Sequence, residues 1–308
     1  MSTGELSGRP SAELAELLAA LAASPPDPDA SLADRRARSA ATFGGPPPPG
    51  VRVDPVVAGG VPAEWVRAPG VPDRAVTLLV RGGGFCIGGV AGRRRLAAAI
   101  SAHARTSVLV LDYRLAPEHP FPAAFDDVVA AYRWLLDEHG ADPARLGVLG
   151  DSAGGSLLLG ALVALRDEGV AMPAAAVALS PWVDLDVAGR PAPPDAVDPL
   201  VTVETLQLSA QWYLAGASAR DPRMSPVNAD LTGLPPLLVQ VGSGEVLRTD
   251  AQRLADLASA AGVEVTLQVW DGVPHVWHLF AHLPEAHRAI ARIGEFLLAR
   301  TGVPVDRR

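Results

Sequence analysis

The chain has 308 residues and a formal net charge of −8 at pH 7, with 49% hydrophobic and 19% charged residues. This is a globular composition, and its acidic balance argues against nucleic-acid binding, which needs a basic face toward the phosphates. The single cysteine, Cys86, excludes an internal disulfide and a cysteine-rich zinc site.

The N-terminus carries acids early and no basic segment ahead of an apolar run, so it does not have the pattern of a signal peptide. No apolar stretch elsewhere is long enough to span a bilayer. We therefore expect a cytoplasmic protein with no membrane partner.

Residues 1–50 form the first unit that the sequence predicts. Leucines recur at helical spacing over 11–23, a shorter helical stretch follows at 32–40, and a proline tract at 46–49 is expected to be a stiff spacer. The leucine stripe is formed by Leu14, Leu17, Leu18 and Leu21. Because such a stripe needs apolar surface to cover, we interpret this arm as an ordered partial lid; a disordered tail is the alternative.

From residue 51 onward, short apolar runs alternate with helical patterns. Strands are predicted at 63–67, 76–80, 108–111, 146–149, 175–179, 237–241 and 263–269, and helices at 96–104, 125–139, 152–168, 202–214, 251–261 and 287–300. The alternation predicts an α/β fold with a mostly parallel sheet and helices on both faces. A shift to proline, alanine and aspartate after Val187 marks an insertion at 188–222, which divides the core into 51–187 and 223–308.

A candidate nucleophile lies between a predicted strand and a predicted helix. The sequence there, residues 150–154, is Gly-Asp-Ser-Ala-Gly and centres on Ser152. A sharp strand-to-helix turn of this type lifts the serine hydroxyl clear of the sheet, and the helix N-terminus favours negative charge beside it. The alternative is a serine that caps a helix in a glycine-rich turn.

A serine nucleophile needs a base, and in this chain order the histidine comes last. His275 follows a predicted strand and is therefore expected at the edge where parallel sheets hold their sites. His278 is the rival and is better interpreted as a packing or capping residue. His278 and His282 are expected on one helix face, but with only Glu285 nearby they offer too few ligands, so we predict no metal.

The acid that orients the base is expected after the penultimate core strand. Glu245 follows the strand at 237–241 and is the candidate. Asp250 is the alternative, although an acid at the start of the next helix is already explained by the helix dipole.

The loop Arg81-Gly82-Gly83-Gly84 follows another predicted strand. Consecutive glycines allow the backbone to approach a ligand closely and to turn its amides inward. With the amide of Ala153, the amides of Gly83 and Gly84 are candidate donors to an oxyanion. The loop matches no nucleotide-binding pattern, and we predict no cofactor.

These motifs together resemble the hormone-sensitive-lipase-like family of α/β-hydrolases, from about Trp65 to the C-terminus. The resemblance rests on DYRLAPEHPFPA (112–123), GDSAGG (150–155), SPWVDL (180–185), LPPL (234–237) and PHVWHLF (274–280). It implies the triad Ser152, Glu245 and His275, the oxyanion donors above, and a helical cap built from the N-terminal arm and the insertion. It also implies hydrolysis of short to medium acyl esters and, in some members, of lactones.

The chain departs from that family at Arg81, where the glycine loop normally begins with histidine. Arginine is longer and permanently charged. We consider three roles for it: it anchors the loop through a carboxylate, it misplaces Gly83 and Gly84, or it binds an acidic group of the substrate.

We therefore expect a serine carboxylesterase that acts on small-molecule esters through an acyl-enzyme. One alternative is a biosynthetic enzyme that uses the same triad for acyl transfer or cyclisation. The other is a non-catalytic ligand-binding protein, which the presence of all three triad candidates disfavours. The strand at 263–269 and the last helix are a candidate edge for a homodimer.

Overall fold

The structure, a computed structural model, describes residues 2–6, 10–25, 27, 29–72, 75–187 and 193–302. Within them one sheet contains β1 (Ser2–Leu6), β2 (Arg52–Ala58), β3 (Val61–Arg67), β4 (Val76–Val80), β5 (Ser107–Leu111), β6 (Leu146–Asp151), β7 (Ala175–Leu179), β8 (Leu237–Gly242) and β9 (Val265–Trp270). The strand order is β1-β9-β8-β7-β6-β4-β5-β3-β2. Strand β3 runs antiparallel to both neighbours, and the other pairs are parallel.

Helices cover both faces of this sheet. They are α1 (Ala12–Ala23), α2 (Leu32–Phe43), α3 (Arg94–Ala104), α4 (Ala123–Asp137), α5 (Ala153–Asp167), α6 (Val203–Leu214), α7 (Arg248–Ala260) and α8 (Pro284–Thr301). One apolar cluster joins the sheet to α4, α5 and α7, and a second joins it to α3 and α8. The predicted α/β-hydrolase architecture, a mostly parallel sheet between two helical layers, is confirmed.

The central strands β4 to β8 are buried at every position because both faces of the sheet are covered. All five residues of β4 are buried, and Leu78 and Leu79 belong to opposite clusters. Successive side chains of a strand point to opposite faces, so each strand contributes to two cores at once. Full burial of one leucine stabilises the fold by roughly 1.5–3 kcal/mol.

Two edge strands were not predicted. Strand β2 carries Pro55, which is tolerated at an edge because one side of such a strand needs no hydrogen-bonded partner. Strand β1 pairs in parallel with β9. Strand β9 is therefore not an edge strand, so the strand part of the predicted dimer edge is wrong, while the last helix as a dimer surface stays a prediction. A homodimer through another surface stays a prediction.

The N-terminal arm packs against the core through its leucine stripe. Leu14 is fully buried with Trp270 and Trp277, and Leu17, Leu18 and Leu21 pack around this cluster. Ser11 caps α1 and also donates its hydroxyl to Glu285 on α8. These contacts hold the first helix beside the loop that follows β9.

No helix among the residues that the structure describes is both long and apolar enough to cross a membrane. The start of the insertion, residues 188–192, lies outside the described residues. The proposed unit boundaries at 50, 187 and 222 stay predictions.

Candidate active site

Ser152 lies in the turn between β6 and α5. Its backbone has φ 53° and ψ −124°, a conformation that a non-glycine residue rarely adopts. A side chain at Gly154 would place its Cβ 2.1 Å from the carbonyl oxygen of Val80. The glycine therefore allows the first turn of α5 to pack against β4 and keeps the elbow sharp, as the Gly-x-Ser-x-Gly pattern predicts.

Ser152, His275 and Glu245 form one chain of hydrogen bonds. Nε2 of His275 is 2.9 Å from Oγ of Ser152, and Nδ1 is 2.8 Å from Oε2 of Glu245. All three residues are buried. They follow the carboxyl ends of β6, β9 and β8, and the parallel topology brings these ends to one edge of the sheet.

The second oxygen of Glu245 is also occupied. Oε1 accepts hydrogen bonds from the amide of Gly242 at 2.6 Å and from the hydroxyl of Ser180 at 2.7 Å. The same Ser180 oxygen accepts from the amide of Val276 at 3.1 Å. Ser180 therefore ties the loop of the acid to the loop of the histidine. Sequence reasoning did not assign it a role, although it begins the family-like stretch at 180–185.

The charged groups around His275 favour its protonated form. Burial by itself lowers the pKa of His275, but the hydrogen bond and charge of Glu245, with the charges of Asp198 and Asp151, outweigh it. The pKa of His275 is raised above its ordinary value of 6.5 as a result.

Asp250, the alternative acid, points elsewhere. It is fully buried in the first turn of α7, where its Oδ2 accepts from the amides of Val183 and Asp184 at 3.0 and 3.2 Å. It braces the loop after β7.

His278, the alternative base, has the surroundings of a packing residue. His278 is buried, and its Nε2 lies 2.8 Å from Oε1 of Gln240, while burial lowers its pKa to about 3. It lies in a short 3₁₀ turn, so the helix face that we expected it to share with His282 does not exist. Glu285 is engaged by Ser11.

The glycine loop lies against the nucleophile. A Cβ at Gly82 would come within 2.9 Å of the Cβ of Ser152. Gly83 has φ 123°, and its carbonyl oxygen accepts from the amides of Cys86 and Ile87 at 3.0 and 2.9 Å. The loop turns tightly within five residues, which brings the Gly83–Gly84 backbone to the edge where Ser152 lies.

Arg81 is buried beneath this loop, with 1% of its surface exposed. Its guanidinium donates to the carbonyl oxygens of Ile87 at 3.0 Å and Tyr113 at 3.1 Å. It lies 3.3 Å from a carboxylate oxygen of Asp112 and 4.2 Å from the centre of the Tyr113 ring. The hydroxyl of Tyr113 donates back to the carbonyl of Arg81 at 2.8 Å. This geometry favours the anchoring role over contact with a substrate, because the guanidinium is buried and its donors meet backbone carbonyls.

A second buried arginine was missed by sequence reasoning. Arg93 makes a bidentate ion pair with Asp151, the residue before the nucleophile, at 3.0 and 2.7 Å. A Cβ at Gly82 would lie 2.5 Å from Oδ2 of Asp151, so the pair lies directly under the glycine loop. Arg93 and Asp151 are 58 positions apart, and no local pattern in the sequence predicts that they pair.

Asp198, in the insertion, was also missed. Within the described ranges, Asp198, Glu245 and His275 are the only group whose metal-ligand atoms come together, all within 4.8 Å of one another. Glu245 and His275 are already joined to each other, so a metal there would have to displace the hydrogen bonds of the triad. The absence of a metal stays a prediction.

Helix α6 of the insertion packs over the glycine loop. The ring of Tyr213 stacks on Phe85 with centres 3.9 Å apart, and the centre of the Trp182 ring lies 5.3 Å from that of Phe85. A Cβ at Gly84 would lie 2.8 Å from the hydroxyl oxygen of Ser209. The insertion thus packs on the glycine loop through Tyr213 and Ser209.

Comparison with known proteins places this site in a family. Residues 77–279 match the family described as alpha/beta hydrolase fold. An acetyl-hydrolase of Streptomyces hygroscopicus is 47% identical over 257 residues, which cover 83% of this chain and 84% of that protein.

Solved structures of esterases have the same fold as this chain. A crystal structure of an esterase from the bacterial hormone-sensitive lipase family has a TM-score of 0.90 and 46% identity, covering 96% of this chain and all of that one. EstE5, in a crystal soaked with p-nitrophenyl butyrate, has a TM-score of 0.89 and 41% identity over 95% of this chain and 100% of that one. This chain belongs to the α/β-hydrolase family, on its hormone-sensitive-lipase-like branch.

Proposed function

We propose that this protein is a carboxylesterase in which Ser152 is the nucleophile, His275 the general base and Glu245 the acid that orients it. The observation that carries the proposal is the unbroken hydrogen-bonded chain from Ser152 through His275 to Glu245 in a buried site. The carboxylesterases and acetyl-hydrolase among the relatives support the same reaction.

The hydrogen bonds define the direction of proton transfer. Glu245 accepts at Nδ1 of His275, so Nδ1 carries the hydrogen and Nε2 is left free to take the proton of Ser152. Ser152 Oγ then attacks the ester carbonyl, and the imidazolium returns its proton to the departing alcohol. Water repeats the sequence on the acyl-enzyme, releasing the acid and restoring Ser152.

The developing oxyanion requires donors that are in position before the attack. We assign this role to the amides of Gly83, Gly84 and Ala153. Arg81 supports them by joining the carbonyl of Ile87, in the same loop, to the carbonyl of Tyr113 after β5, and these bonds replace the support that the family's histidine is expected to provide. The Arg93–Asp151 ion pair is a second support under the same loop.

We assign short to medium acyl esters of small molecules as the substrates, with lactones as a further class. The relative named acetyl-hydrolase and the use of a butyrate ester with EstE5 support a small acyl pocket. Residues 1–50 and 188–222 form the cap over core units 51–187 and 223–308. The packing of Tyr213 on Phe85 and of Leu14 with Trp277 supports this division.

The experiment is a series of p-nitrophenyl esters, from acetate to decanoate, on the purified protein and on Ser152→Ala. We expect turnover with a maximum at a short acyl chain, and a loss of about 10⁴-fold or more in the variant, because triad members act as a unit. A fluorophosphonate should label the wild-type protein and not the variant. A wild-type protein that neither turns over an ester nor labels would be a binding protein.

A further inference from the structure

A carboxylate of the insertion faces the acid–base pair. Asp198 belongs to the segment between β7 and α6, and its Oδ1 accepts from the amides of Leu200 and Val201 at 3.0 and 3.2 Å. The preceding residue, Val197, donates its amide to the carbonyl of Gly244 at 2.9 Å. The insertion is therefore docked on the loop that carries Glu245, with Asp198 held at the contact.

The Asp198 carboxylate lies beside the acid–base pair, and only one of its oxygens is used by the turn. Oδ2 is buried and has no hydrogen-bond partner in the part of the chain that the structure describes. The ligand atoms of Asp198, Glu245 and His275 lie within 4.8 Å of one another. Both oxygens of Glu245 are engaged, by His275, Ser180 and Gly242, so Asp198 supplies a carboxylate that the triad does not already use.

The charges around this carboxylate determine what it does. The pKa of Asp198 is raised to about 6, mainly by burial, with the charge of His275 opposing the rise and the charge of Glu245 adding to it. The titratable groups that face the pair are Glu245 from the loop after β8, Asp151 from the end of β6 and His278 from the turn after His275. At neutral pH Asp198 is therefore mostly ionised, and its negative charge lies beside the imidazole of His275.

We propose that Asp198 is a positioning residue whose carboxylate stabilises the imidazolium form of His275 during catalysis and so couples the docked insertion to the reactivity of the triad. The proposal rests on the proposed function. In the transition state His275 gains a proton, and a second carboxylate nearby lowers the energy of that charge. The ground state, with a neutral imidazole, gains less, so the effect is on turnover more than on binding.

Asp198→Asn tests this cleanly. The amide oxygen can still accept from Leu200 and Val201, so the turn is kept while the charge is removed. We expect kcat to fall about fivefold or more with KM nearly unchanged, and the acid limb of the pH–rate profile to move down by roughly half a unit or more. Asp198→Glu should keep the wild-type midpoint. Asp186→Asn, which removes an exposed carboxylate paired with Arg220, is the control and should match the wild type.

A folded Asp198→Asn protein whose kcat and pH midpoint both equal those of the wild type would overturn the proposal and leave Asp198 as a turn cap. If that variant does not fold, Asp198→Ser, which keeps a hydroxyl acceptor for the turn, takes its place under the same criteria. The pH dependence of fluorophosphonate labelling gives an independent readout of His275. Failure of the wild type to label at all would instead contradict the proposed function.

Discussion

The hydroxyl oxygen of Ser180 lies 2.7 Å from Oε1 of Glu245, although the two residues are 65 positions apart in the chain. The same oxygen accepts the amide of Val276, the residue after the histidine. One buried hydroxyl thus fixes the acid and the base relative to each other. The precision of the triad depends on a residue that takes no part in proton transfer.

Ser180→Ala should lower kcat by about tenfold to a hundredfold, the loss expected for one hydrogen bond to a buried charge, with little change in KM. The variant is measured by steady-state kinetics on p-nitrophenyl butyrate. Ser101→Ala is the matched control, because Ser101 is a buried serine that donates to the carbonyl of Thr106 away from the site. Equal kcat values for Ser180→Ala and the wild type would remove the positioning role.

The two candidate acids are separated by Glu245→Gln and Asp250→Asn. We expect Glu245→Gln to lower kcat by about 10³–10⁴-fold, because the imidazole loses the carboxylate that orients it and stabilises its cation. Asp250→Asn keeps an acceptor for the Val183 and Asp184 amides but removes the charge that strengthens those two hydrogen bonds, so its main effect should be a lower free energy of unfolding, with little loss of turnover. Urea unfolding and kcat measured on both variants give the comparison, and the reverse ranking in kcat would assign the acid to Asp250.

Activity should rise with pH through a midpoint above 6.5, the ordinary pKa of histidine, because Glu245 and its neighbours raise the pKa of His275. The sign follows from the mechanism: His275 accepts a proton only when it is neutral, so a raised pKa delays activity to higher pH. A pH–rate profile of kcat/KM from pH 5 to 9 measures it. A flat profile, or a midpoint below 6.5, would contradict His275 as the base.

Arg81→Ala should lower kcat by up to about 10²–10³-fold, the cost of misplacing an oxyanion donor, and should leave KM nearly unchanged. The reason is that its guanidinium holds the carbonyls of Ile87 and Tyr113. Arg81→His should recover activity on simple esters. Neutral and anionic p-nitrophenyl esters are compared: a rise in KM confined to the anionic esters would show that Arg81 binds substrate instead.

Acid should destabilise the fold through His278, whose pKa burial lowers to about 3. As the pH falls, the histidine takes up its proton in the unfolded chain before it does so in the folded protein. The free energy of unfolding is therefore greatest above pH 6.5, the ordinary pKa of histidine, and falls as the pH drops toward 3. This one group changes the free energy of unfolding by at most about 1.4 kcal/mol per pH unit. His278→Gln, which keeps a donor for Gln240, should show a smaller loss between pH 7 and pH 5 in urea unfolding. An unchanged loss would assign the acid sensitivity to other groups.

Local patterns in the sequence were sufficient for the fold class and for the three triad candidates. Apolar runs of strand length mark strands that are buried on both faces, and the glycines around Ser152 mark a sharp turn, because each depends on the backbone and its immediate neighbours. His275 and Glu245 followed from the rule that parallel strands carry their sites at their carboxyl ends.

Contacts between distant segments were decided only by the tertiary structure. Glu245 and Asp250 are five positions apart, and the turn after β8 directs one toward His275 while the first turn of α7 directs the other toward the 183–184 amides. The pairing of β1 with β9 and the approach of Asp198 to the triad have no local signature either. Each depends on where the chain returns after many residues, which is set by packing and not by the residues on either side.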